Sequence, residues 1–229
     1  MTATFARPAR RVKQGFGDKL TGEPAMGVTH RLVLAGPDIV LPDRVIAGGT
    51  LVVEDGLITG IVSHALPASS GALHLDLTGH FVVPGFVDIH VHGLEGIDSL
   101  DGPDAVRDLA ARMPAYGVTA FSPTTVACPP AQLRMVLDAV RACRESPAAG
   151  SARVLPAHLE SNFINPDYKG AQPLSCIRTP ASALATRDRV RRCATGDEFS
   201  GADILHLIED AGPDVGIVTL APELDEAMA

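Results

Sequence analysis

Apolar and polar residues alternate in short runs over the first third of the chain. Between positions 31 and 84, runs rich in Val, Ile and Leu are separated by turn pairs such as Gly36-Pro37, Asp55-Gly56 and Thr78-Gly79. An Asp-Gly pair between two such runs is a strong hairpin signal. The pattern predicts a small β-sandwich-like module over 28–83, with a supporting role and no chemistry of its own.

After position 84 the pattern changes to short apolar runs that alternate with longer amphipathic segments. Strands are predicted at 84–93, 117–127, 152–161 and 214–223, and helices at 101–116, 130–144, 181–194 and 201–211. Asp101 is the predicted N-cap of the first helix. Strands that alternate with helices indicate parallel pairing through right-handed crossovers. The sequence therefore predicts an α/β fold over 84–229.

The first 27 residues contain many Arg, Lys, Gly and Pro residues and no apolar run, which predicts a disordered tail over 1–27 or an over-extended start. The pair Arg10-Arg11 is not followed by a hydrophobic region, so no export signal is predicted. No stretch approaches the apolar length that spans a membrane, and we expect no membrane association.

The 229 residues have a formal net charge of -8 and are 46% hydrophobic, which is typical of a globular protein. Nucleic-acid binding needs clustered Lys and Arg, so the acidic balance argues against a nucleic-acid partner. The four cysteines are Cys128, Cys143, Cys176 and Cys193, and they form no Cys-x-x-Cys pair. We expect them to be reduced thiols in a cytoplasmic protein.

The segment PGFVDIHVHG at 84–93 carries the first candidate chemistry. Side chains alternate along a strand, so His90 and His92 share one face, and Asp88 lies on that face one pleat earlier. Two imidazoles that converge from one strand end form half of a site for a divalent metal ion. The alternative is a half-buried strand whose histidines meet solvent or a core partner.

This segment resembles the first barrel strand of the amidohydrolase superfamily, whose signature is Pro-Gly-[Phe/Leu]-[Ile/Val]-Asp-x-His-x-His. The resemblance implies that His90 and His92 are metal ligands at the carboxyl end of strand one of a (β/α) TIM-type barrel. A complete barrel takes roughly 250 residues, about 30 for each strand-helix unit. Positions 84–229 therefore predict a partial barrel of about four units, the N-terminal half of an amidohydrolase barrel.

Two further segments extend the resemblance, HLESNFINPDYKGAQP at 158–173 and TLAPE at 219–223. They are similar to the His-Leu-Glu-Gly-Pro-Phe, Lys-Gly-Ala-His-Pro and fourth-strand motifs of the N-acetylglucosamine-6-phosphate deacetylase family. By this resemblance Glu160 is a metal ligand, sharing or bridging the ions held by His90 and His92. Ala171 and Gln172 fall where the family's Ala-His contacts the sugar. The alternative for Glu160 is a solvated carboxylate paired with Lys169.

The chain departs from the family motif directly after Glu160. Ser161-Asn162 replaces Gly-Pro, so we expect a more flexible turn at this point. His158 faces the same way as Glu160 but one pleat deeper, which predicts that it supports the site or packs in the core rather than binding metal. Glu223 is expected either to join a hydrogen-bond network in the barrel mouth or to cap the strand end.

The resemblance implies a hydrolase that converts an amino-sugar phosphate, N-acetylglucosamine 6-phosphate, to glucosamine 6-phosphate and acetate. One or two divalent ions, zinc or iron, would activate a water, and an Asp would move a proton to the leaving amine. In the family that Asp and further ligands come from later strands, so no catalytic residue is identified here and the chain is expected to be inactive alone. The alternatives are another amidohydrolase acting on a cyclic amide and a non-catalytic sugar-phosphate-binding protein.

A half barrel would leave an unpaired strand edge and apolar faces open to solvent. We therefore expect either a homo-oligomer or a companion chain that completes the barrel, with association through the edge of the fourth strand.

Overall fold

A computed structural model of the chain describes residues 30–67, 71–179, 199–224 and 227. The chain divides into two compact units, Met1–Pro84 and Gly85–Ala229. The predicted tail at 1–27 and the predicted helix at 181–194 lie outside the described residues.

Short strands make up the first unit. They are β1 (Arg31–Ala35), β2 (Asp38–Val40), β3 (Val45–Ile46), β4 (Thr50–Glu54), β5 (Leu57–Val62), β6 (Ala72–Asp76) and β7 (Phe81–Val82). Four of them form a sheet in the order β5-β4-β1-β6, and the other three form a sheet in the order β3-β2-β7. The core side chains of this unit are Val33, Ile39, Leu51 and Val52. Face-to-face packing of the two sheets as a sandwich stays a prediction.

The predicted hairpin at Asp55-Gly56 is confirmed, because this pair joins the antiparallel strands β4 and β5. Asp55 and Gly56 both adopt positive φ, 50° and 80°. Two consecutive positive φ angles give a turn whose twist matches that of the flanking strands, and Asp-Gly adopts it at low cost.

The second unit alternates strands with helices. Its strands are β8 (Phe86–Val91), β9 (Gly93–Leu94), β10 (Ile97–Asp98), β11 (Val118–Thr125), β12 (Arg153–Val154), β13 (Ala157–Glu160) and β14 (Val215–Thr219). Its α-helices are α1 (Ala105–Arg112), α2 (Pro130–Glu145) and α3 (Gly201–Ala211), and short 3-10 helices span Met113–Tyr116, Pro166–Tyr168, Leu174–Cys176 and Gly212–Asp214.

The main sheet of this unit is parallel throughout. β11 pairs with β8 on one side, and on the other side it pairs first with β12 and then with β13. β14 lies on the far side of β13. The prediction of an α/β fold with a parallel sheet is confirmed.

One predicted strand, 152–161, is divided into β12 and β13. Leu155 donates its N–H to the carbonyl of Phe121 at 2.8 Å, but the next residue is Pro156. Proline has no N–H, so it cannot continue the ladder to β11, and pairing resumes at Thr124 with His158.

Helices α1, α2 and α3 bury one face each against a common core. Residues spaced three or four apart supply that face, as expected for amphipathic helices. The core members from the helices and the sheet include Val106, Leu109, Leu133, Val136, Val140, Phe121, Leu159, Ile204 and Leu207.

The prediction that Asp101 caps the first helix is wrong. Helix α1 begins at Ala105, with Asp104 in the N-cap position. Asp101 instead accepts a hydrogen bond from the N–H of Asp98 at 2.8 Å, which closes the turn before the helix. The carboxylate of Asp101 is therefore bonded within the turn that precedes the helix and does not cap α1.

Three of the four cysteines, Cys128, Cys143 and Cys176, lie in the described part of the chain, and all three are free and buried. Within the same residues, none of the helices combines the length and the apolar character that crossing a membrane would need.

Candidate metal centre

Gly85 lets β8 run unusually close to β11. A Cβ atom at this position would lie 2.1 Å from the side chain of Thr119, far inside the distance at which two carbon atoms attract. The glycine of the Pro-Gly pair is therefore required by packing, and it fixes the start of the strand that carries the two histidines.

At its far end, β8 presents His90 and His92 on one face. Their Nε2 atoms are 3.1 Å apart. The carboxylate of Asp88 accepts the backbone N–H of His90 at 3.0 Å, which holds the end of the strand. Directly after His92 the chain enters the tight β9–β10 hairpin, where a Cβ at Gly93 would lie 2.2 Å from the carbonyl of Ile97.

Glu160 reaches the same place from another strand. It is the last residue of β13, and β8, β11 and β13 run parallel, so their carboxyl ends meet at one edge of the sheet. Its Oε1 lies 3.9 Å from His90 Nε2, and its Oε2 lies 3.4 Å from His92 Nε2. Within the described residues, these three side chains form the group that could hold a metal ion.

The spacing of the three side chains is close to that of ligands around one divalent ion. Nitrogen and oxygen ligands lie about 2.0–2.2 Å from a tetrahedral zinc ion, which separates the ligand atoms by about 3.3–3.6 Å. The separations here are 3.1, 3.4 and 3.9 Å. Two imidazoles and a carboxylate are also donors that zinc and ferrous iron accept. The side chains are between 27% and 46% exposed, so water and a small molecule can reach them.

Gln172 contacts Glu160 from the loop that follows β13. Its Nε2 donates to Glu160 Oε2 at 2.7 Å, and its Oε1 accepts from the N–H of Ala127 at 2.6 Å. Gln172 is buried and Ala171 is exposed. The structure therefore places Gln172 against Glu160, and the contact of Ala171 and Gln172 with a sugar stays a prediction. Lys169, the alternative partner of Glu160, donates to the carbonyl of Gly170 at 3.1 Å.

His158 supports the group from inside the sheet, as its position one pleat deeper predicts. Its ring lies edge-on to that of His90, with 4.7 Å between the centroids. Its Nδ1 lies 3.0 Å from the carbonyl of Ile89, and its Nε2 lies 2.8 Å from Thr219 Oγ1. A carbonyl only accepts, so Nδ1 carries the hydrogen and, in the neutral ring, Nε2 accepts from the hydroxyl.

Hydrogen bonds hold the turn at Ser161-Asn162, and its flexibility relative to a Gly-Pro turn stays a prediction. Both residues are buried. Asn162 Nδ2 donates to the carbonyls of Cys128 and Cys176 at 2.9 and 2.7 Å, and Ser161 Oγ donates to the carbonyl of Thr219 at 2.5 Å. Two polar side chains thus bond this turn to three carbonyls that are distant in the sequence.

Glu223 takes part in a hydrogen bond between loops. Asn165 Nδ2 donates to Glu223 Oε1 at 2.9 Å. This bond lowers the pKa of Glu223 below the ordinary value for a glutamate, because it favours the charged form. This single bond does not decide between the two expected roles for Glu223, and both stay predictions.

No protein-family model matches the chain, but named relatives do. It is 31% identical over 204 residues to N-acetylglucosamine-6-phosphate deacetylase of Bacillus subtilis strain 168, covering 87% of this chain and 46% of the relative. It is 28% identical over 217 residues to the enzyme of the same name from Mus musculus, covering 92% of this chain and 46% of the relative. The chain thus spans about half the length of these relatives.

A solved structure has a similar fold. The crystal structure of N-acetylglucosamine-6-phosphate deacetylase from Pasteurella multocida matches with a TM-score of 0.69 at 18% sequence identity. The match covers 86% of this chain and 46% of that one.

Proposed function

This chain is homologous to the N-terminal portion of N-acetylglucosamine-6-phosphate deacetylases, and on that basis we propose that it carries part of the metal site of an amino-sugar-phosphate deacetylase. The observation that supports the proposal most is the convergence of His90, His92 and Glu160 from two strands. The proposed substrate class is N-acetylated amino-sugar 6-phosphates, with N-acetylglucosamine 6-phosphate as the first candidate.

We propose that the three side chains hold a divalent ion, zinc or iron. Bound there, such an ion would polarise the amide carbonyl and lower the pKa of a water molecule, and both effects favour hydrolysis of an amide. The imidazoles of His90 and His92 offer ring nitrogens, and Glu160 offers carboxylate oxygens. His158 and Gln172 hold the first and last of these side chains in place.

Ala171 and Gln172 are proposed to lie on the sugar side of the site. Their position supports this, because Gln172 is bonded to Glu160 and Ala171 beside it is exposed. A sugar bound with its acetamide at the metal would therefore pass close to Ala171.

We propose that 84–229 forms the N-terminal half of a TIM-type barrel and that 28–83 forms a supporting β-sandwich-like module. In the described part of the second unit, β8 and β14 are the outer strands of the parallel sheet. Phe86, Val87 and Ile89 of β8 are 61%, 60% and 55% exposed. Exposed apolar side chains on an outer strand are normally covered, which supports a second copy or a companion chain as the covering partner.

The 229-residue polypeptide by itself is proposed to bind metal without sustained turnover, since no general acid/base residue is assigned in its matched motifs. The test loads the purified polypeptide with zinc or ferrous iron and measures bound metal and acetate released from N-acetylglucosamine 6-phosphate. The double variant His90→Ala/His92→Ala should lose the metal. His206→Ala is the matched control, because His206 lies on α3 and pairs with Glu209 at 3.5 Å.

Each outcome has a distinct meaning. Metal bound by the wild type and the control, but not by the double variant, would support the site. Equal metal content in all three proteins would refute it. Sustained acetate release by the wild type, but not by the double variant, would support the deacetylase chemistry and refute the proposed inactivity. Activity on a cyclic amide in place of the sugar phosphate would refute the proposed substrate class.

A further inference from the structure

The side chain of Gln172 is committed to two partners inside the protein. It is 5% exposed. Its Oε1 accepts from the backbone N–H of Ala127, and its Nε2 donates to Glu160 Oε2. Gln172 thereby links the end of β11 to the last residue of β13.

The backbone of Ala127 fixes which way the amide points. A backbone N–H can only donate, so it selects the oxygen of the amide and turns the NH₂ group towards Glu160. A flipped amide would place two donors together at Ala127 and two acceptors together at Glu160. The orientation therefore follows from a backbone group, which no side-chain substitution at position 127 other than proline removes.

Glu160 needs such a partner. The terminal torsion of a glutamate has a broad, roughly two-fold energy profile, so packing alone sets it poorly. The bond from Gln172 holds the carboxylate plane with both oxygens towards the imidazoles of His90 and His92. Because the donor is neutral, it orients the carboxylate without cancelling the charge that attracts a cation.

We propose that Gln172 is a positioning residue that raises the metal affinity of the site by fixing the carboxylate of Glu160. The inference rests on the proposed metal site and deepens it. The hydrogen-bonding partners of metal ligands commonly contribute 10- to 100-fold in affinity. Gln172 lies twelve positions from Glu160 in the sequence, yet it acts directly on that side chain.

The test compares Gln172→Met with Gln132→Met in the 229-residue polypeptide. Methionine matches the length of glutamine and removes both hydrogen bonds. Gln132 lies on α2 and donates to the carbonyl of Leu100 at 3.2 Å, so its variant makes the same chemical change away from Glu160. Zinc dissociation constants come from competition with a chromogenic chelator, after circular dichroism has shown that each variant is folded.

Gln172→Met should bind zinc about 10- to 100-fold more weakly, and Gln132→Met should bind it like the wild type. A second variant, Gln172→His, keeps one acceptor and one donor in a planar ring and should recover part of the affinity. The absorption spectrum of bound Co²⁺ should also change in Gln172→Met and not in Gln132→Met, a change that a loss of stability alone would not produce.

Two results would overturn the inference in different ways. If the wild type binds zinc and His92→Ala does not, but Gln172→Met binds with unchanged affinity, the positioning role is wrong and the proposed metal site stands. If the wild type itself binds no zinc, both are wrong. If Gln172→Met does not fold, Gln172→His provides the test. A Gln172→His variant that is as stable as the wild type but binds zinc no better than His92→Ala would refute the inference.

Discussion

The Nε2 atom of His158 accepts a hydrogen bond from the hydroxyl of Thr219 at 2.8 Å, and this contact joins β13 to β14 beside the candidate metal ligands. The other ring nitrogen of His158 bonds to Ile89 on β8. One imidazole therefore ties together three strands of the parallel sheet at the edge where His90 and Glu160 meet.

Thr219→Val should destabilise the protein. Valine keeps the shape of threonine but leaves the buried Nε2 of His158 without a donor, at a cost of about 1–2 kcal/mol in the free energy of unfolding. Thr219→Ser keeps the hydroxyl and should cost less. Urea titration of the metal-free proteins provides the measurement, and equal stability of the two variants would argue against a role for the bond.

Gly85→Ala should also destabilise the protein, by roughly 1–3 kcal/mol, because the new methyl group overlaps Thr119. Rotation of the Thr119 side chain cannot relieve the clash fully, since its Cβ would still lie 2.7 Å away. Gly60→Ala is the matched control, because the nearest atom there is 3.7 Å from the added Cβ. Thermal unfolding in which Gly85→Ala is no worse than this control would contradict the explanation of the Pro-Gly pair.

Asp214→Asn should lower the unfolding midpoint. The carboxylate of Asp214 is 7% exposed and accepts from Arg141 Nε at 2.6 Å and from Arg144 Nη1. An amide of the same shape leaves both guanidinium groups without their anion. Asp210→Asn, on the exposed face of α3, should stay within about 0.5 kcal/mol of the wild type. Calorimetry of the wild type and the two variants gives their unfolding midpoints. Equal midpoints for Asp214→Asn and Asp210→Asn would contradict the prediction.

Cys128 should resist alkylation in the folded protein. Burial raises the pKa of its thiol to about 12, so the reactive thiolate is scarce at pH 8. The pKa of this thiol in the folded protein exceeds the usual value of 9.0, so between these values the folded state holds the proton more tightly than the unfolded state. The contribution of the buried thiol to the free energy of unfolding is therefore complete below pH 9 and is lost as the pH rises towards 12. Iodoacetamide labelling read by peptide mass spectrometry should modify Cys128 rapidly in denaturant and slowly without it. Comparable rates in both conditions would contradict the prediction.

Two kinds of feature could be predicted from the sequence: elements with a periodic pattern of apolar residues, and side chains placed at the end of a strand. Helix α3 begins and ends at the predicted residues because its apolar spacing is regular and Ser200 caps it with Asp203. The shared face of His90 and His92 follows from strand alternation alone. That Glu160 meets them is what the family resemblance implies, and their role as ligands stays a prediction.

Other features depend on loop paths that leave no periodic signal. The bond between Gln172 and Glu160 requires the chain from 161 to 172 to fold back on β13, and Ser161 and Asn162 hold that path by bonds to distant carbonyls. At Pro156 a continuous strand competes with a broken one, and at Asp101 a helix cap competes with a turn. A single sequence indicates both options without deciding between them.

The fixed amide of Gln172 also gives the protein a natural NMR reporter. Its two side-chain protons differ in environment, because the nitrogen that carries them is turned towards a carboxylate while the amide oxygen is held by a backbone group. In a ¹⁵N-labelled sample those protons should give two well-separated resonances. Their shifts would follow the charge on Glu160 directly, so ion capture could be monitored at the ligand itself without adding a chromophore.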